Sequence, residues 1–538
     1  MRQRKLIAFF LALSFSLSCC GCTVPVPFPD GTAESSAADV PDERRFDTAE
    51  LKETVLSYKE NWYDTDRNMQ EQIDYVLNAV DEAYAVYCRE EIASYADWDN
   101  DALYALSNQC LEDYYVAEEI AAWYFANGSR HSADRALFED YIDEDHLPYY
   151  LANSLNRIIA YARSDAALQS ERVHDYYDLV DDTDFDTDKT NKLCAKIYLD
   201  LLKERDVSQS LFDYYSRDYS AEDISAVYQE IREQLVPVRQ SIENMLLDSG
   251  GLLSAETLEK DPYALLEQYA KRLSPDIAAS ADKLFSEQLY TKAEGETCYD
   301  GSFTMNLPNE QLALMYTYFD GSFFDFLTVT HEFGHFHADW RDTTPVFLQK
   351  TNLDIAEVQS QSMVTLFLPF YDEIFGDEAE QRKLIVLLDL LDALISGYAV
   401  GEFEHQVMQQ LETITPSETA ALFDRIMDEC CIELELYQVS HLFEQPGYYI
   451  SYGVSALPAV EMYALVNEDS QQAIAVYDKL SSYSCLSGEN TFRDVMKSCG
   501  LTDYFVSGSI DALAEKLTQF TEQPEQISEY DETGHSAA

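Results

Sequence analysis

The chain has 538 residues, of which 36 are Lys or Arg and 99 are Asp or Glu, so its net charge is −63 at pH 7. This balance argues against nucleic acid as a partner, because phosphate binding needs clustered basic side chains. The length is enough for one large or two medium domains. Gly (18 residues) and Pro (15 residues) are scarce, which predicts a mainly α-helical fold. The acidic field could attract cationic peptides, although surface solvation alone also explains it.

Residues 1–22 have the features of a lipoprotein-type signal peptide. The basic start Met1–Lys5 precedes the apolar run Leu6–Ser18, which is too short to span a bilayer. The next residues resemble a bacterial lipobox, in which a lipidated cysteine becomes the mature N-terminus, and either Cys20 or Cys22 could be that residue. We therefore expect an exported protein, lipid-anchored to the outer face of the cytoplasmic membrane in a bacterial cell envelope. An ordinary cleaved signal is the alternative.

The rest of the chain divides where its composition changes. Residues 23–47 are rich in Pro, Ser and acidic side chains, which predicts a flexible tether. Residues 48–248 carry apolar side chains at helical spacing and predict an N-terminal helical lobe. The glycine pair after Ser249 is the best internal break. We therefore expect a second lobe over 249–523, which holds the motifs described below, and a disordered tail over 524–538.

The second lobe starts with helices and then has its least helical part. Two stretches rich in aromatic and branched residues, 299–306 and 312–319, predict two or three strands, followed by a turn. Helical patterns then cover Leu353–Leu368, Gln381–Ile395, Gly401–Leu411, Glu418–Phe443, Ala456–Leu480 and Ile510–Phe520. The second of these is strongly apolar, but Asp389 and Asp392 interrupt it, so we expect a core helix rather than a membrane span.

One short motif carries chemistry, His331-Glu332-Phe-Gly-His335. Residues i and i+4 of a helix lie on one face, so both imidazoles can point at one metal ion. Glu332 sits at the edge of that face, where it can act on a water molecule without ligating the metal. This spacing is the zinc peptidase signature. The plain alternative is a buried amphipathic helix with two unrelated histidines.

A catalytic zinc needs three protein ligands and one open position. The third candidate is Glu357, on a separate predicted helix, and Asp354 and Gln361 share its helical face and could orient the ligands. We expect one Zn²⁺ per chain, although two His and a carboxylate would also suit Mn or Co. An exposed helix glutamate is the plain alternative for Glu357.

The same residues predict a mechanism of peptide hydrolysis. Glu332 would take a proton from the attacking water and deliver it to the leaving amine. The oxyanion that forms needs a donor besides the metal. The candidates are His441, Tyr448 and Tyr452, and the two tyrosines are spaced so that they could share a helical face.

Several of these segments resemble oligoendopeptidase F, in the thimet oligopeptidase group of zinc metallopeptidases. The segments that carry the resemblance are Phe319–His335, Ala356–Ser360, Gly401–His405 and His441–Tyr452. The resemblance covers about 298 to 456 and implies a helical ellipsoid of two lobes around a deep substrate channel. It also implies cleavage of short oligopeptides, while the strand-like stretches before the motif predict a small β-sheet next to the zinc helix. Residue by residue, it implies zinc ligands at His331, His335 and Glu357, the general base at Glu332, and donors at His441 and at Tyr448 or Tyr452.

The chain departs from the family pattern at two places. The family has a further His three residues after its second ligand, where this chain has Ala338, and we interpret the neighbouring His337 as incidental. The tyrosine segment carries one extra residue. Tyr449 could therefore replace Tyr448 in the active role or contact the substrate.

The sequence thus predicts a monomeric, lipid-anchored zinc endopeptidase that acts on short peptides. One alternative is a zinc carboxypeptidase or dipeptidase, which would need a charged group to hold the end of its substrate. Another is a peptide-binding lipoprotein without activity, which would have no need for Glu332.

Overall fold

The computed structural model describes residues 44–521, apart from 61, 63–67, 133, 143–145, 164–175, 177–178, 180–185, 205–214 and 216. The predicted signal peptide with Cys20 and Cys22, most of the tether and the predicted tail lie outside the described residues.

The first part of the chain forms helices, as the apolar spacing predicts. They are α1 (Thr48–Glu60), α2 (Met69–Tyr95), α3 (Asp101–His131), α4 (Leu147–Ala152), α5 (Thr187–Glu204) and α6 (Ala221–Ser249), with a further helical stretch over 155–163. Helices α2 and α3 pack side by side and share a core with α1, which includes Val55, Ile73 and Tyr124. Helix α6 starts with a capping box at Ser220 and ends at Gly250, whose φ of 71° suits glycine.

The strands form one small mixed sheet. They are β1 (Tyr290–Glu294), β2 (Phe303–Leu307) and β3 (Leu312–Phe319), in the order β1-β3-β2. Strand β1 runs parallel to β3, and β2 runs antiparallel to it. The aromatic stretches predict β2 and β3, whereas β1 lies in a stretch that the pattern does not single out.

Helices make up the rest of the second part. They are α7 (Pro262–Ala270), α8 (Pro275–Glu287), α9 (Phe324–Asp339), α10 (Leu353–Leu366), α11 (Tyr371–Phe375), α12 (Ala379–Gln409), α13 (Pro416–Cys430), α14 (His441–Glu444), α15 (Ile450–Glu468), α16 (Ser470–Leu480), α17 (Phe492–Cys499) and α18 (Ser509–Thr521). The sheet packs on α9, α9 on α10, and α10 on α15. Helix α12 packs between α6 and α15 in the largest core. The predicted lobe boundary at 249 stays a prediction.

Three helix predictions differ from the structure. The pattern over Ala456–Leu480 covers two helices, α15 and α16, with Asp469 between them. The patterns over Gln381–Ile395 and Gly401–Leu411 belong to the single helix α12. The pattern over Glu418–Phe443 is broken, because α13 ends at Cys430 and Cys431 adopts a left-handed φ of 55°. In the next residues Ile432, Leu434 and Leu436 are buried alternately, which is the period of an extended segment rather than of a helix.

Among the described residues, one helical stretch within Leu353–Gln409 is long and apolar enough to cross a membrane. Of its most apolar part, 83% is buried inside the protein. A core helix has the same length and composition, so the stretch agrees with the core helix predicted there.

Candidate metal centre

Two helices in direct contact carry the predicted ligands. A turn leads into α9, where the Asp325 carboxylate accepts hydrogen bonds from the backbone N–H groups of Asp320 (3.1 Å) and Gly321 (2.9 Å). At Gly334, inside the motif, an added Cβ would lie 2.6 Å from the Cα of Ser360 on α10. Glycine at this position therefore lets the two helix backbones touch, and this contact brings Glu357 to the histidines.

The three side chains form one buried cluster. Glu357 Oε2 lies 3.5 Å from His331 Nε2 and 3.8 Å from His335 Nε2. One ligand atom from each residue falls within 4.8 Å of the other two, and all three residues are buried. The cluster could hold a metal ion, and it unites the two parts of the sequence in which the ligands were predicted.

Neighbouring hydroxyls hold the Glu357 carboxylate. Ser360 Oγ donates to Oε2 at 3.1 Å, and the Tyr448 hydroxyl donates to Oε1 at 3.3 Å. Asp354 and Gln361 share this helix but face other partners. Asp354 accepts from the Tyr219 hydroxyl at 2.8 Å, and the Gln361 amide donates to the Tyr452 carbonyl at 3.5 Å. Their predicted role in orienting the ligands stays a prediction.

Burial and the charges of the three groups set the pKa values within the cluster. Burial lowers the pKa of His335 to about 4, so its imidazole is neutral. Burial also disfavours a charged His331, but the hydrogen bond and charge of Glu357 outweigh it and raise the pKa of His331. For Glu357 itself, burial is outweighed by the two histidines and Ser360, and its pKa is lowered. The cluster thus contains an ionised carboxylate facing imidazole nitrogens.

Glu332 lies beside this cluster and is fully buried. Its Oε2 accepts a hydrogen bond from Thr304 Oγ1 on β2 at 2.8 Å, whereas Oε1 has no hydrogen-bond partner among the described residues. Burial, with a smaller contribution from the charge of Glu357, raises the pKa of Glu332 to about 7. The charge of His331 and the hydrogen bond from Thr304 act in the opposite direction. A carboxyl with this pKa can both accept and return a proton near neutral pH.

The predicted donor residues form an aromatic cluster. The His441 ring centroid lies 4.9 Å from that of Tyr448, 5.8 Å from that of Tyr449 and 5.6 Å from that of Tyr452. The Tyr452 hydroxyl is 3.4 Å from His441 Nε2, and burial lowers the pKa of His441 to about 4. Helix α15 starts at Ile450, so Tyr448 reaches the cluster from the preceding loop and not from a shared helical face.

The structure adds further residues to the site. Thr304 contacts Glu332, Ser360 contacts Glu357, and the Glu404 carboxylate accepts from the N–H of Gly447, the residue before Tyr448, at 2.7 Å. Ser360 and Glu404 lie in segments that carry the family resemblance, whereas nothing in the sequence points to Thr304. His337 is buried against Ser280 and Ser481, away from the cluster.

Helices, sheet and buried cluster together define a mainly helical protein with a candidate metal site between α9 and α10. Its structure is similar to a crystal structure assigned as an oligoendopeptidase F, with TM-score 0.63 and 15% identity over 89% of this chain and 98% of that one. It is also similar to PZ peptidase A in complex with an inhibitor, with TM-score 0.62 and 16% identity over 89% and 98% of the chains.

A third similar structure is assigned as an oligoendopeptidase F from Bacillus anthracis str. Ames, with TM-score 0.62 and 15% identity over 89% of this chain and 96% of that one. The sequence itself matches no protein-family model and no curated protein. The three similar structures nevertheless show that the chain has the oligoendopeptidase F fold, which confirms the predicted fold class and the predicted resemblance.

Proposed function

We propose that the protein is a zinc-dependent endopeptidase that hydrolyses short oligopeptides. The observation that carries the proposal is the position of Glu332, a fully buried carboxyl beside the cluster of His331, His335 and Glu357. The fold adds support, since one of the similar structures is a peptidase bound to an inhibitor.

The donor set suits zinc. Ligand atoms about 2.1 Å from a tetrahedral ion lie about 3.4 Å apart, close to the 3.5 and 3.8 Å that separate Glu357 Oε2 from the two Nε2 atoms. His331, His335 and Glu357 would hold the ion. When bound, zinc would supply Lewis acidity that polarises the scissile carbonyl and acidifies water.

The protein's own residues would move the protons. The Oε1 atom of Glu332 accepts no hydrogen bond from the described residues, while Thr304 fixes Oε2. Glu332 can therefore take the proton of the attacking water through Oε1 and pass it to the leaving nitrogen as the peptide bond breaks.

The aromatic cluster would stabilise the transition state. Tyr448, Tyr452 and His441 can donate hydrogen bonds to the oxyanion and to the substrate backbone. Tyr448 already contacts the ligand Glu357, so its phenol would lie close to a carbonyl bound at the metal. Tyr449 lies in the same cluster and is proposed to contact the substrate.

We also propose a deep channel that admits short peptides and excludes folded proteins. The protein would be exported, anchored by a lipid at Cys20 or Cys22, and monomeric.

The test is cleavage of a fluorogenic peptide ladder, from dipeptides to decapeptides, by the purified full-length protein. We expect internal cleavage of the longer peptides, loss of turnover with a chelator, and recovery with added zinc. Glu332→Gln should keep its zinc, and its kcat should fall by a factor of about 10²–10⁴.

A second variant gives the matched control. His337→Gln replaces a buried histidine of the same helix that lies outside the cluster, and it should retain turnover. Release of single residues from one end would favour a carboxypeptidase or dipeptidase. A zinc-loaded wild type that cleaves no member of the ladder would refute the peptidase proposal, and turnover that survives Glu332→Gln would refute the role of Glu332.

A further inference from the structure

A buried arginine joins the tyrosine loop to a ligand helix. The tyrosine loop is defined here as residues 446–452, which include the first residues of α15. The Arg217 side chain is 2% exposed. Its Nη1 donates to the Gly447 carbonyl and its Nη2 to Ser451 Oγ, both at 2.7 Å. Its Nε lies 3.7 Å from Asp354 Oδ1 on α10. One planar guanidinium thus contacts both ends of the loop and the helix that carries Glu357.

The tyrosines on either side of Arg217 contact the same two elements. The Tyr215 hydroxyl donates to the Pro446 carbonyl at 3.4 Å, and the Arg217 guanidinium lies 4.7 Å from the Tyr215 ring. The Tyr219 hydroxyl donates to Asp354 Oδ2 at 2.8 Å. The arginine is therefore not an isolated contact, because the alternating residues Tyr215, Arg217 and Tyr219 all contact the loop or α10.

A second buried side chain also holds the loop. The Gly447 N–H donates to Glu404 Oε1 on α12 at 2.7 Å, while the Gly447 carbonyl accepts from Arg217. Gly447 has a φ of 85°, which favours glycine. Both backbone polar groups of Gly447, the residue before Tyr448, are thus hydrogen-bonded. Ser451, the residue before Tyr452, is held by Arg217.

These contacts connect the proposed donors with the proposed metal ligand. Asp354 lies one turn before Glu357 on α10, and the Tyr448 hydroxyl contacts Glu357 Oε1 at 3.3 Å. A shift of the loop would therefore move the phenols relative to the ligand, and an error of about 1 Å in such a geometry can cost about 100-fold in rate.

We propose that Arg217 is a positioning residue, which fixes the tyrosine loop over the metal cluster so that Tyr448 and Tyr452 meet the transition state. This inference rests on the proposed function for its effect on rate. Its effect on the loop itself is independent of any activity.

The test compares Arg217→Lys with the wild type. Lysine keeps the positive charge beside Asp354 but cannot donate in the same fork to Gly447 and Ser451. Hydrogen–deuterium exchange should become at least about tenfold faster in residues 446–452, while zinc content stays unchanged. In peptide cleavage, kcat should fall about 10- to 100-fold, with KM within about twofold of the wild type.

Arg239→Lys is the matched control. Arg239 is also a buried arginine. It donates to Asp392 at 2.6 Å and to Glu243, so it joins α6 to α12 and does not contact the loop. This variant should lose comparable stability yet leave exchange in 446–452 and kcat at the wild-type values.

Unchanged exchange in 446–452 for Arg217→Lys would overturn the inference, and so would an equal acceleration in Arg239→Lys. Faster exchange with an unchanged kcat would overturn the effect on rate. If the wild type cleaves no peptide, the proposed function fails, and the exchange experiment alone still decides whether Arg217 fixes the loop.

Discussion

Glu332 is one of several acidic side chains that the fold buries at a pKa near neutrality. Burial raises the pKa of Asp81 to about 6 and the pKa values of Glu91, Asp325 and Asp339 to about 7. Asp81 and Asp325 accept backbone hydrogen bonds, from Val346 (2.8 Å) and from the turn before α9. Such groups bind protons more tightly when the protein is folded, so they make folding less favourable as the pH rises.

Glu91 provides a test of this effect, because it lies on α2, away from the metal cluster, and is 3% exposed. Burial raises its pKa from 4.5 to about 7, although hydrogen bonds from Tyr87 and Tyr95 oppose the change. A raised pKa in the folded state means that stability is fully present below about pH 4.5 and falls as the pH rises through 7. The loss is on the order of 3 kcal/mol in total.

We therefore expect Glu91→Gln to flatten the pH dependence of the free energy of unfolding between pH 5 and 8, measured by urea denaturation. Glu71→Gln, at an exposed position of the same helix, is the control and should follow the wild-type profile. A Glu91→Gln profile as steep as that of the wild type would contradict the prediction.

At the scale of elements, the contact between α9 and α10 determines whether the cluster exists. The obstacle at Gly334 is the backbone of Ser360, at 2.6 Å from an added Cβ, and not the end of a flexible side chain. A substitution there must separate the two helices, which would move His331 and His335 away from Glu357.

Gly334→Ala should therefore reduce zinc affinity and cost about 1–3 kcal/mol of stability through overpacking. Helix propensity alone would favour alanine by about 1 kcal/mol, so the steric effect has the opposite sign. Isothermal titration with zinc and urea denaturation measure the two effects. Ala338→Gly on the same helix is the control, which should lose stability but bind zinc as the wild type does, and a stabilised Gly334→Ala with normal affinity would contradict the prediction.

The sequence predicts the helices and the metal ligands further than it predicts the residues that support them. The helical periodicity predicts most helices, and His-Glu-x-x-His with Glu357 indicates the three residues that the structure brings together. The end of α13 was missed because no Gly or Pro marks it, only the left-handed Cys431. Thr304 and Arg217 were missed for a different reason. Their partners are distant in the sequence, and only tertiary packing makes these contacts.

At the scale of the whole molecule, charge repulsion opposes folding. The chain carries 99 acidic and 36 basic side chains, so most carboxylates on the surface have no cation to pair with. Compact chains bring these charges closer together than unfolded ones do. Salt screens this repulsion, with a Debye length of about 10 Å at 0.1 M.

The melting temperature should therefore rise when sodium chloride is increased from about 0.02 M to 0.5 M, because screening relieves more repulsion than it weakens surface ion pairs. Differential scanning calorimetry measures the change, and potassium chloride at equal ionic strength should give the same result. A melting temperature that falls with salt would mean that ion pairs dominate.

A metal bound between α9 and α10 would stabilise the whole molecule, since both helices belong to its largest core. A ligand that binds only the folded state adds about 4 kcal/mol at 1,000 times its dissociation constant. We therefore expect a chelator to lower the melting temperature of the zinc-loaded protein and added zinc to restore it. Glu357→Gln removes a ligand that contacts both histidines, so its melting temperature should respond to neither treatment. An equal response of this variant would place the stabilising metal elsewhere, because the chelator would then be acting on a site that does not need Glu357.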